Sequence, residues 1–149
     1  MYVDKFAEFS DIQAVTATAI STNVMDLNPA FKLNTNGVDI GTGQDVYLIV
    51  QVDVAAAAAG AATVVVTLES SSAAGLTSSN VHLTSKTLAL TDMTAGKTLM
   101  AVKLPTDTYL RFLGVRYTVA TGPLTGGSFS AFLTTDVQAY RAYARNYVA

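Results

Sequence analysis

His82, inside "NVHLT", is the single histidine of the chain. Histidine titrates near neutrality and can serve as general base, proton shuttle or metal ligand. Each role needs partners: further His or Cys for a metal, an oriented carboxylate and a nucleophile for acyl transfer. The chain has no cysteine to join it. His82 also sits in strand-like alternation between apolar neighbours, so it reads as an ordinary strand residue. "AGKT", residues 95–98, resembles the end of a phosphate-binding loop, but Thr91 stands where the first glycine of that pattern belongs. A helix should follow such a loop, whereas "KTLMAVKL" has the look of a strand, so a β-turn carrying a lysine is expected. "NTNGVDIGTGQD", 34–45, has the oxygen-rich flavour of a calcium loop without the spacing of an EF-hand. Asp26, Asp39, Asp45, Asp53, Asp92, Asp107 and Asp136 are scattered, and no G-x-S-x-G elbow occurs among the many serines. No catalytic, cofactor-binding or metal-binding residue is expected, and the chain reads as a protein that is not an enzyme and takes no cofactor.

The ends carry a different kind of chemistry. The terminal "DVQAYRAYARNYVA" interleaves Tyr140, Tyr143 and Tyr147 with Arg141 and Arg145. On a helix the tyrosines form one stripe and the arginines a neighbouring one. Tyrosine and arginine are enriched at interface hot spots, because each offers wide contact area and a directed polar end. Packing on its own domain is the plain alternative for such a segment. At the other end, "MYVDKFAEF" places Tyr2, Phe6 and Phe9 ahead of the first clear strand. All eight residues are candidates for contacts between subunits.

The elements between the ends read as β. "QDVYLIVQVDV", 44–54, sets Val46, Leu48, Val50, Val52 and Val54 against Tyr47, Ile49, Gln51 and Asp53. That period of two is the mark of a half-buried strand. Further strands are expected over 13–21, 62–70, 81–90, 97–104, 108–120 and 127–137. Residues 28–45 and 70–80 read as loops, 92–96 and 120–127 as turns, and 54–62 as a hairpin or a small-residue connection. About seven or eight strands separated by turn signals make a sandwich or barrel. With 149 residues, one domain is expected over 1–149, with arms at about 1–12 and 137–149. Only 13% of residues are charged and the formal net charge is -2, which does not advertise nucleic acid or a membrane surface. No apolar run approaches the roughly 18 residues of a spanning helix. "MYVDKFAEFSD" lacks the apolar stretch of a signal peptide, so none is expected. So little charge suits a chain that hides much of its exterior against partners.

Several stretches are similar to one known family. "MYVDK", "FSDIQAVTATAISTNVMDL", "VQVDVAAAAAGAATVVVTLESS" and above all "YTVATGPLTGGSF…DVQAYRAY" resemble capsid cement proteins of tailed bacteriophages, of the podovirus type first described from a Bordetella phage. The likeness runs from residue 1 to about 143 and is weakest over 28–45 and 70–100. It implies an all-β, jelly-roll-like antiparallel sandwich of about eight strands with extended terminal arms. It also implies a structural virion protein that is made in the host cytoplasm and binds the outer capsid surface. There it would tie neighbouring major capsid protein subunits together and associate with itself as a dimer or trimer. A receptor- or glycan-binding jelly-roll head is the second reading, though no tryptophan is present to stack on sugar. A cupin- or glycosidase-like enzyme is the third, and a lone histidine argues against the cupin.

Overall fold

The computed structural model describes residues 3–27, 40 and 43–137. Ten strands form there: β1 (Glu8–Ala14), β2 (Ala19–Ile20), β3 (Met25–Asp26), β4 (Tyr47–Ala57), β5 (Thr63–Ser71), β6 (Asn80–Thr84), β7 (Leu88–Ala89), β8 (Thr98–Lys103), β9 (Phe112–Ala120) and β10 (Gly126–Thr134). Two 3-10 turns, Lys5–Ala7 and Leu90–Asp92, are the only helical pieces among the described residues. Sheet A has the order β1-β10-β4-β8. In sheet B, β9 pairs with β2 and β3 on one side and with β5 on the other, and β5 pairs in turn with β6 and β7. Counting β2 with β3, and β6 with β7, as single interrupted strands leaves two antiparallel sheets of four. This is the expected eight-strand jelly-roll sandwich.

The alternation read in the sequence builds the core. Leu48, Val50 and Val52 of β4 lie opposite Leu133, Ala131 and Phe129 of β10. Facing them, Val64, Val66 and Leu68 of β5 lie opposite Val119, Tyr117 and Val115 of β9. Tyr117 and Phe129 stack across the two layers with centroids 5.4 Å apart. The Tyr117 hydroxyl donates to Ser10 Oγ at 3.0 Å. Burial pushes that phenol up to about 12.

Three expected elements differ in detail. The strand over 13–21 is broken, because β1 ends in sheet A and β2 begins in sheet B. Gln13 stitches the corner: its carbonyl accepts from the Ser10 hydroxyl and the Thr22 N–H, and its amide donates to the Ile20 carbonyl. The strand over 81–90 is interrupted where the Ser85 hydroxyl takes the Val66 N–H, a side chain replacing a ladder bond. Residues 58–62 are not a hairpin, since β4 and β5 belong to different sheets; they carry the chain across the sandwich. Ile49 is buried with the core set and lies opposite the buried Phe132, so β4 is covered on both faces at that point. The expected turn at 92–96 holds Lys97 against Asp92 at 3.5 Å and leads into β8, a strand and not the helix of a phosphate loop.

Candidate functional site

The terminal contact residues divide. Phe6 sits on the first 3-10 turn, where Asp4 Oδ1 caps its N–H at 3.0 Å, and it is 88% exposed. Nothing in the described fold covers this ring, so it keeps the surface an interface needs. Phe9 does not. It belongs to β1, is 1% exposed and packs in the core, so its aromatic area is already spent inside the sandwich. The expected arm at about 1–12 is correspondingly shorter, because residues 8–12 are strand, paired to β10. Tyr2, Tyr140, Arg141, Tyr143, Arg145 and Tyr147 lie outside the described residues. Four further apolar side chains stand in the open: Ile12, Val54, Val81 and Val102. Ile12 escapes sequence reading because β1 bulges there, with φ at 46°. Val81 and Val102 lie on edge strands, which alternation does not distinguish from central ones.

His82 is not isolated in the fold. Its Nε2 lies 2.7 Å from Ser70 Oγ, its Nδ1 lies 2.7 Å from Asp107 Oδ2, and its ring packs against Tyr109 with centroids 4.4 Å apart. In the tautomer that carries its proton on Nδ1, the ring donates to Asp107 and its Nε2 accepts the Ser70 proton. The order of groups is that of a hydrolytic triad. The surroundings differ from one. Ser70 is 0% exposed, and its oxygen also accepts the Leu110 N–H at 3.0 Å. A hydroxyl so placed leaves no approach for a substrate carbonyl. What the chain of bonds does is fasten residues 107–110, which lead from sheet A to sheet B, onto β5 and β6. Among the described residues, no three metal-capable side chains converge.

Asp107 reports on this clasp. The hydrogen bond from His82, then that from the Thr108 N–H, hold its carboxyl below the usual carboxylate range. A depressed folded-state pKa stabilises above the unfolded value, and the contribution is lost as pH falls through the folded one. Wild type is therefore expected to melt higher than Asp107→Asn at neutral pH, and the gap should close on acidification below about pH 4. Thermal melts of both proteins across pH check this; a gap that stays constant would mean that the Asp107 charge contributes nothing to the clasp.

A second polar cluster lies on the outer face of sheet B, beneath residues 72–79. Glu69 of β5 is 4% exposed. It accepts from Thr67 Oγ1 at 2.7 Å, from Ser79 Oγ at 2.6 Å and from Arg116 Nε at 2.9 and 3.1 Å. Arg116 also donates to the Leu76 carbonyl at 2.8 Å, and Ser71 donates to the Thr77 carbonyl at 2.6 Å. Burial pushes the Glu69 carboxyl up, but the hydrogen bonds from Ser79, Thr67 and Arg116 and the Arg116 charge outweigh it, so the group stays below the usual range. Leu76 and Ser78 each hold φ at 49°, a left-handed conformation that disfavours side chains such as leucine's. Leu76 persists there because it is buried over Gly114, where an added Cβ would come within 2.9 Å of its Cδ1. The expected loop at 70–80 is thus tied to the sheet at Leu76, Thr77 and Ser79.

The family model Bbp16 matches residues 9–133. That span starts within β1 and ends within β10, so it takes in both sheets. No curated protein matches the chain.

Proposed function

The chain belongs to the Bbp16 family, and from that premise we propose that it is a structural virion protein of a tailed phage, not an enzyme, that binds the outer capsid surface and cements neighbouring coat subunits. The observation that carries the reading is the family match itself, which covers the whole sandwich. The cement-type stretches quoted above run through the same residues and onward into the Tyr/Arg segment. A weakly charged exterior and the open Phe6 ring are in keeping with a surface made for protein contact.

The mechanism is avidity. Each copy needs only modest contact with the coat. Copies held on a fixed lattice and touching one another gain by effective concentration, without any single strong bond. Bridging contacts of this kind oppose separation of the coat subunits when packaged genome presses on the shell. Phe6, Tyr2 and the segment Tyr140, Arg141, Tyr143, Arg145, Tyr147 are the gripping residues in this reading. Phe9 is left out because it is interior.

Co-sedimentation with capsids assembled without the protein, followed by cryo-electron microscopy, tests it. Ordered density bridging adjacent coat subunits is the expected result, and Phe6→Ser should lower occupancy about tenfold, the loss typical of one exposed aromatic anchor. Absence of binding by the wild type would overturn the cement role in favour of a receptor- or glycan-binding head.

A further inference from the structure

We infer that β8 is the edge through which two copies of this chain join, so that sheet A continues from one copy into the next. The inference rests on the self-association included in the reading above and names the surface that would carry it. A sheet edge presents unpaired N–H and C=O groups, which an added strand satisfies. Sheet A has two such edges. That of β1 is occupied: the Asn23 N–H donates to the Phe9 carbonyl at 2.8 Å, and Gln13 bonds to Ile20 and Thr22. On the open side of β8, no described residue pairs. In sheet B, β2 has two residues, and β6 is bent by a register shift between Leu68 and Glu69 of its partner. The irregularity of β8 lies at its start, opposite Val50 and Gln51, which leaves residues 100–103 regular.

The hydrogen-bond phase of β8 follows from its partner. Leu104 N–H donates to the Val46 carbonyl, and Val102 lies opposite Leu48. Bonding in an antiparallel pair alternates, so Val102 and Leu104 direct their backbone groups toward β4, and Ala101 and Lys103 direct theirs outward. An antiparallel twin is thereby constrained. Ala101 would meet Ala101 of the second copy about a twofold axis, each donating to the other's carbonyl. Val102, exposed in the monomer, would meet Met100, and Lys103 would lie across from Leu99, the residue at the irregularity. No like charges stand opposite one another. Of the two adjacent registers of the same facing, the one centred on Met100 would set Lys97 against Lys103, and the one centred on Val102 would set Leu99 against Pro105, which has no N–H to donate, so both are disfavoured. The charge of Lys103 is already answered within its own chain by Asp45.

Sedimentation equilibrium of the full chain tests this without any capsid, so its failure is separable from failure of the cement reading. Wild type is expected to dimerise. Ala101→Lys and Ala101→Glu, each setting like charges face to face on the axis, should each weaken dimerisation at least tenfold. An equimolar mixture of the two should recover it as a heterodimer. Ala101 is exposed, so both variants are expected to keep the wild-type fold by circular dichroism. Ala101→Pro, which deletes an outward N–H but no bond to β4, is a second variant and should also weaken the dimer. A wild type still monomeric at about 100 μM, a concentration at which a dimer with a micromolar dissociation constant would form, would overturn the inference. So would charge variants that dimerise like the wild type, or a mixture that fails to recover.

Discussion

Phe129→Ala is expected to lower the unfolding free energy by about 3–5 kcal/mol, the range for emptying an aromatic site in a core. Phe129 is 0% exposed and lies between the sheets, stacked on Tyr117 and paired in register with Val52. Neighbours on strands pinned by antiparallel ladders on both sides cannot collapse into the space, so the loss includes a cavity as well as transfer. A denaturant titration should show a lower midpoint with an unchanged slope, and a thermal melt a drop of roughly 10 °C. Tyr117→Phe makes the contrast: it keeps the stack and removes the bond to Ser10, which should cost only about 1 kcal/mol. A loss under about 1 kcal/mol for Phe129→Ala would mean that the layers can close on the void, contrary to the rigid sandwich described.

Arg116→Ala is expected to cost about 2–4 kcal/mol at neutral pH. Removing one partner of a buried pair leaves an uncompensated charge, which typically costs about 3–5 kcal/mol. The lower range applies because the Arg116 side chain is 27% exposed and water answers part of its charge. The substitution strands the Glu69 carboxylate in a site closed by Thr67, Ser79 and the 72–79 loop, and it frees the Leu76 carbonyl. Its pH dependence has a definite sign. In the wild type the Glu69 pKa is depressed, so its stabilisation holds above the unfolded carboxylate value and fades as pH falls through the folded one. In the variant, burial acts with less opposition and the pKa rises, so the carboxyl protonates earlier and relieves its own cost. The gap between the two proteins should therefore narrow on acidification. Denaturant titrations at neutral and acid pH check this, and a gap that widens in acid would show that Glu69 is not the group left unpaired.

Much of the fold was legible because strand signals are local. In residues 47–52 alternation places Leu48, Val50 and Val52 on one face, and they are the ones facing the core. The runs 62–70, 97–104, 108–120 and 127–137 became strands within a few residues of their expected limits. Thr91 in place of a glycine was enough to discount the phosphate loop, and the turn at Asp92 to Lys97 agrees. Phe6 and Phe9 read alike in "KFAEF", yet one is exposed and the other interior. Pairing of Glu8–Ala14 with β10 separates them, and the segment itself holds no sign of that pairing.

The polar sites were out of reach for the same reason. Ser70, His82 and Asp107 stand 12 and 25 residues apart, and Glu69 and Arg116 stand 47 apart. Each set meets only through the order and register of strands that local pattern does not specify. Leu76, alone in a run of serines, alanines and threonines, reads as a stray apolar residue until Gly114 is set beneath it. The chain's own period of two is enough to dictate extended backbone and which side chains turn inward, because both depend on adjacent residues. Which strands become neighbours depends on burial and loop closure summed over the whole molecule, and the clasp at His82, the pair at Glu69 and the place of β8 at the end of its sheet all follow from that sum.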